Sequence, residues 1–168
     1  EAPNFLSIDT QGSEYDVLLL AEKIIKNNIL AINCEINFSE LYLNSKLFNE
    51  IHLFLTKNDF FLVNIETFNI GCHRIPNKFR GKGIPLQGEV LYLKEPNKII
   101  NDISKKSNLL KLAFIAISFG YTEFSYKILD ENRIYDEGNP DNGGCCIDDI
   151  LLCIDSVTQM AANDPRPF

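Results

Sequence analysis

Two carboxylates at the ends of apolar runs are the residues of this chain best placed to do chemistry. Asp9 closes FLSID and Glu35 closes LAINCE. A carboxylate within hydrogen-bond reach of a hydroxyl can take its proton, which makes Asp9 the first candidate base. The alternative is that Asp9 only accepts backbone N–H bonds in the turn after its strand. Glu35 could hold a substrate hydroxyl or pair with a nearby lysine. Asn37, two residues on, offers both donor and acceptor to a polar ligand. Between Asp9 and the next helix stand Gln11 and Gly12, the glycine fitting a turn that needs a positive φ or a close backbone approach. Glu14 falls in the first helical turn, where a carboxylate complements the dipole and supports the cap.

These side chains depend on the elements that carry them. Phe5 to Asp9 reads as a strand, followed by a helix opening at Ser13 with Val17, Leu20, Ala21 and Ile24 at helical spacing toward the sheet, stopping near Asn27 and Asn28. Leu30 to Glu35 is a second strand. Asn44 or Ser45 is the expected cap of a second helix, with Leu47, Ile51, Phe54 and Leu55 on one side and its end near Asn58. Phe60 to Ile65 is a third strand. Strand and helix in alternation predict a parallel sheet with crossover helices. A long loop from Glu66 to Gln87 then leads to a strand at Glu89 to Lys94 with no room for a crossover, so this last strand is expected antiparallel. Asp9, Glu35 and the loop after Ile65 therefore share one sheet edge, where open α/β sheets bind ligands.

The run IDTQGSE resembles the [IV]D-x-[EQ]-G-x-E signature of the FkbM-type S-adenosylmethionine-dependent methyltransferases, and the resemblance extends over roughly residues 1 to 95. It implies an α/β fold class: the C-terminal half of a Rossmann-like class I methyltransferase sheet, with three parallel strands plus one antiparallel strand in the spatial order four, five, seven, six. It implies S-adenosyl-L-methionine as cofactor and O-methylation of a sugar or another small polar hydroxyl compound. Methyl transfer of this kind depends chiefly on holding the two reactants in near-attack geometry. On this reading Asp9 and Glu35 are catalytic, and Asp9, Gln11 and Gly12 border the cofactor. Gln11 stands where many members have Glu, which removes a charge beside Asp9. No Gly-rich turn follows a strand here, so the main cofactor cradle is expected upstream of Glu1 and the chain is expected to be inactive alone. The competing reading is a catalytically incomplete methyltransferase-like module whose helical extension docks on another protein.

The loop HRIPNKFRGKG gathers His73, Arg74, Lys78, Arg80 and Lys82 in an otherwise acidic chain. With Asn37, His73, Arg74, Arg80 and Lys82 are the candidate substrate contacts, suited to phosphate or carboxylate on a sugar-like partner, the alternative being a solvated loop. The formal net charge of −7 over 168 residues argues against a general nucleic-acid surface. Five cysteines without paired C-x-x-C spacing disfavour a disulfide framework and a zinc site, so no metal is read and reduced thiols in a cytoplasm are expected. No apolar run approaches the roughly 20 residues of a membrane span.

The resemblance thus implies a methyltransferase part over residues 1–95, with 96–168 expected as a helical extension. Within the extension LLKLAFIAISFGYTEFSYKIL resembles one tetratricopeptide helix-turn-helix unit, with Ala113, Gly120 and Ser125 at close-approach positions. No second copy exists at the repeat period, so a lone helical hairpin over 109–130 is expected. Ile147, Ile150, Leu151, Ile154 and Val157 mark a last amphipathic helix over 147–160.

Overall fold

The computed structural model describes residues 2–70, 83–100, 106–131 and 152. The basic loop with His73, Arg74, Arg80 and Lys82, the expected helix over 147–160, and all cysteines except Cys34 lie outside the described residues. The chain divides into two compact units, Glu1–Asn101 and Asp102–Phe168.

The first unit runs β1 (Phe5–Ile8), α1 (Glu14–Leu20), α2 (Glu22–Asn27), β2 (Ala31–Asn37), α3 (Phe48–Lys57), β3 (Phe60–Ile70), β4 (Ile84–Lys94) and α4 (Pro96–Ile100). The four strands lie in the order β1-β2-β4-β3, with β1 parallel to β2 and β4 antiparallel to both β2 and β3. This is a mixed α/β sheet compatible with a Rossmann-like methyltransferase fold. Its strand order is the one expected, and β1, β2 and β3 all deliver their carboxyl ends to one edge.

One face of the sheet carries Ile8, Cys34, Ile36, Val90, Tyr92 and Phe60, packed against Leu18 and Ile25 of the first two helices and Ile51, Phe54 and Leu55 of α3. Period-two alternation leaves Asn33, Glu35 and Asn37 on the other face.

Three details depart from the sequence reading. The expected apolar stripe of α1 and α2 holds only in part: Val17 and Ala21 pack against the core, but Leu20 is 89% exposed and Ile24 51%, whereas Leu18 and Ile25 are fully buried. The reason is Glu14, whose side chain is anchored inward by the preceding turn. At about 100° per residue that anchor turns Leu18, Ala21 and Ile25 to the sheet and Leu20 to solvent. Second, α3 starts at Phe48 with Leu47 as its N-cap, and Glu50 accepts the Leu47 N–H at 3.1 Å. Neither Asn44 nor Ser45 caps it, because both belong to a turn closed by Ser45 N–H donating to the Tyr42 carbonyl at 3.0 Å, with Asn44 at φ 62°.

Third, both described ends of the expected loop from Glu66 to Gln87 are strand, since β3 runs on to Ile70 and β4 begins at Ile84. Gly88 allows this close pairing: a Cβ there would lie 2.4 Å from the Glu66 carbonyl oxygen. Pro85, which would break a central strand, sits opposite Asn69 beyond the register shared with β2. Lys94 closes the opposite end of the unit. Its buried ammonium donates to the Asn58 carbonyl at 2.8 Å and the Lys26 carbonyl at 3.3 Å and lies 4.4 Å from the Phe60 ring centroid.

The second unit contains α5 (Lys106–Ser118) and α6 (Thr122–Glu131), an antiparallel hairpin turned at Gly120 with φ 87°. Ser125, buried, donates its hydroxyl to the Ala113 carbonyl at 2.9 Å, so the helices meet at two of the small residues singled out from the sequence, whereas Gly120 serves the turn and has nothing within 4 Å of where a Cβ would stand. No helix among the described residues is long and apolar enough to cross a membrane.

Candidate functional site

The turn between β1 and α1 builds the site from inside out. Glu14 is only 2% exposed, and its carboxylate accepts the backbone N–H of Thr10 at 2.9 Å, the Thr10 hydroxyl at 3.2 Å and the Gly12 N–H at 3.0 Å. The backbone donors that Asp9 might have served are thus taken by Glu14. Buried N–H groups need partners, and meeting them from one side chain fixes the turn as a unit. Asp9 is left exposed at the strand end, free to act outward.

Gln11 sits next in a left-handed conformation, φ 55°, unusual for a residue with a Cβ. That backbone carries its amide over the sheet edge. The nitrogen donates to Asp9 Oδ1 at 2.7 Å and to Glu35 Oε2 at 3.0 Å, while Tyr42 donates its hydroxyl to Gln11 Oε1. From the neighbouring antiparallel strand, Gln87 donates to Glu35 Oε1 at 2.9 Å. Glu35 therefore finds two amides where a lysine was one expectation. Gly12, at φ 109°, is required twice over: by its backbone angle, and because a Cβ there would come within 2.7 Å of Tyr42 Cβ and Cγ.

The acidic character extends along the sheet. Glu35 lies directly opposite Glu89, and Glu89 directly opposite Glu66. Like charges so placed repel. Each is given an amide in place of a cation: Asn33 donates to Glu89 at 2.5 Å and Asn64 to Glu66 at 3.4 Å. Burial, the Asp9 carboxylate hydrogen-bonded beside it, and the further charges of Glu14 and Glu89 push Glu35 up to about 7. Burial likewise pushes the Cys34 thiol up to about 12, with Glu14, Glu35 and Asp9 adding to it, so this free cysteine stays a neutral core residue.

Oxygens of Asp9, Glu14 and Glu35 lie within 4.8 Å of one another, a spacing a cation could bridge. The chain already meets that charge with its own donors, Thr10 and Gly12 on Glu14 and the Gln11 amide on the other two.

Of the residues singled out from sequence, the structure brings together Asp9, Gln11, Gly12 and Glu35. Asn37, near them on the same face of β2, is 1% exposed, and its Oδ1 finds no hydrogen-bond partner among the described residues. His73, Arg74, Arg80 and Lys82 fall outside the described residues. Two contributors escaped the sequence reading. Tyr42 lies in a stretch with no periodicity, and Gln87 closes the segment whose Gly, Pro and basic residues read as a loop. Continuing the alternation of β4 back through Gly88 puts Gln87 opposite Asn37, which is the signal that finds it.

Residues 1–62 match the family model described as the methyltransferase FkbM domain. No curated protein and no solved structure matches the chain.

Proposed function

From a chain that carries FkbM methyltransferase-domain sequence over residues 1–62, we propose an S-adenosylmethionine-dependent O-methyltransferase in which Glu35 and Asp9 handle the acceptor's proton. The observation that carries this reading is the convergence of the two carboxylates on the single Gln11 amide at the sheet edge. A carboxylate whose proton affinity is raised toward neutral pH is a far better base than an ordinary glutamate, and its partner Asp9 supplies part of that rise.

The donor set fits the cofactor in kind. S-adenosylmethionine is cationic at sulfur and carries an ammonium and ribose hydroxyls, and Asp9, Glu35 and the Gln11 carbonyl are acceptors suited to such groups. When bound, it supplies the methyl group as a sulfonium electrophile. What this chain's residues do is hold a hydroxyl against Glu35 and Asp9 and receive its proton.

The acceptor we propose is a neutral polyhydroxy compound such as a sugar. Asp9, Glu35 and Glu89 make the described edge negative, which disfavours a phosphate there. The cationic residues that would greet a phosphorylated sugar, His73, Arg74, Arg80 and Lys82, stand in the loop outside the described residues. The docking alternative would use the exposed large apolar side chains of the hairpin, Phe114, Phe119 and Tyr126, and no further observation favours it over the carboxylate site.

The test is transfer of labelled methyl from S-adenosylmethionine to a panel of sugars and polyols by the full-length protein containing this chain. Transfer should fall about 100-fold or more in Glu35→Gln. Wild-type rates in both Glu35→Gln and Asp9→Asn would reject the assignment.

A further inference from the structure

We propose that Tyr42 is a positioning residue of this site: its hydroxyl locks the Gln11 amide with the nitrogen turned toward Asp9 and Glu35. This rests on the reading of those carboxylates as the proton-handling pair, yet it can be tested apart from methyl transfer.

A primary amide has two ends of nearly equal size and opposite hydrogen-bonding sense. With Oε1 turned toward Asp9 and Glu35, Gln11 would set an acceptor against two carboxylates. With Nε2 there, it donates to both, at 2.7 and 3.0 Å. Tyr42 holds the second orientation by donating to Oε1.

The phenol is itself held in place from two sides. Its ring lies so close to Gly12 that any Cβ at residue 12 would overlap Tyr42 Cβ, Cγ and Cδ2 at 2.7 to 2.8 Å. Its backbone carbonyl accepts the Ser45 N–H at 3.0 Å, and Glu40 accepts the Asn44 N–H at 2.8 Å, which orders the turn that presents it. Gln11, for its part, keeps a left-handed backbone that three side-chain bonds help to hold. The consequence is for the proton. An oriented donor favours the charged carboxylate, so it limits how far Asp9 and Glu14 from one side, and Glu89 from β4, raise Glu35.

Carboxyl-carbon NMR titration of Glu35 tests this, with the Gln11 side-chain amide resonance followed in the same samples. In the wild-type chain that amide resonance should move with the Glu35 midpoint. Tyr42→Phe should raise the midpoint by about 0.5 pH unit, and Gln11→Met by at least as much. The double variant should move no further than Gln11→Met alone, because Tyr42 acts through Gln11.

An unchanged midpoint in Tyr42→Phe, or shifts that add in full, would overturn the proposal. So would a wild-type Gln11 amide resonance indifferent to the Glu35 titration, a readout that needs no variant to fold. A preserved Tyr42→Phe shift in a protein without methyl transfer would sink the methyltransferase reading and leave Tyr42's role standing.

Discussion

Asp9 and Glu35, which close neighbouring parallel strands, accept hydrogen bonds from the same amide nitrogen, at 2.7 and 3.0 Å. Burial raises the proton affinity of Glu35, and the Asp9 carboxylate beside it adds to the effect. That relationship makes the chain's behaviour depend on pH in a defined window.

Glu35 has its proton affinity raised in the folded state, from 4.5 to about 7. Between those values the native state binds more protons than the unfolded one, so the contribution of Glu35 is fully favourable below about 4.5 and is lost as pH rises toward 7. Glu35→Gln should flatten this part of the stability curve. The gain over wild type at pH 8 should be on the order of 1 kcal/mol after allowance for solvent screening, read by urea denaturation at several pH values. A wild-type curve without a downward slope in that window contradicts it.

Glu14 holds the turn by accepting Thr10 and Gly12 N–H groups. Glu14→Ala leaves those donors without their partner and should cost about 2 to 3 kcal/mol, measured as a lower denaturation midpoint. An effect under about 0.5 kcal/mol would mean that water replaces the carboxylate at no cost.

Gly12→Ala adds a Cβ at φ 109° and 2.7 Å from Tyr42. We expect a loss of about 2 kcal/mol together with displacement of Tyr42, visible as loss of the Gln11 amide's dependence on the Glu35 titration. Neutral stability in Gly12→Ala would contradict the contact.

The corrected face of the first two helices has its own test. Leu18→Ala should destabilise by about 2 to 5 kcal/mol and Leu20→Ala by no more than about 0.5, because only Leu18 is buried. Equal costs would restore the stripe read from spacing.

That stripe shows where sequence reasoning stops. The alternation of strand and helix, the antiparallel return of β4 and the meeting of Asp9 with Glu35 at one edge all follow from period and connection length, and the fold has them. The rotation of α1 does not follow from period alone, since Leu18 and Ile25 satisfy helical spacing as well as Leu20 and Ile24 do. Glu14 decides between them, and its inward carboxylate contradicts the usual placement of glutamate on the surface. Likewise Tyr42 joins the site through a turn with no repeating pattern, set by Asn44 at φ 62° and by the space Gly12 leaves. The β3–β4 ribbon is longer than its sequence suggests because Gly88 and Pro85 look like loop residues. One proves to be a close backbone approach and the other lies past the register of β2.

The carboxyl titration of Glu35 in wild type and in Asp9→Asn tests the paired-carboxylate site most directly. Glu35 should titrate near 7 in the wild-type chain and move down toward the ordinary carboxylate range when Asp9 loses its charge. A wild-type midpoint already near 4.5, unmoved by Asp9→Asn, would contradict it.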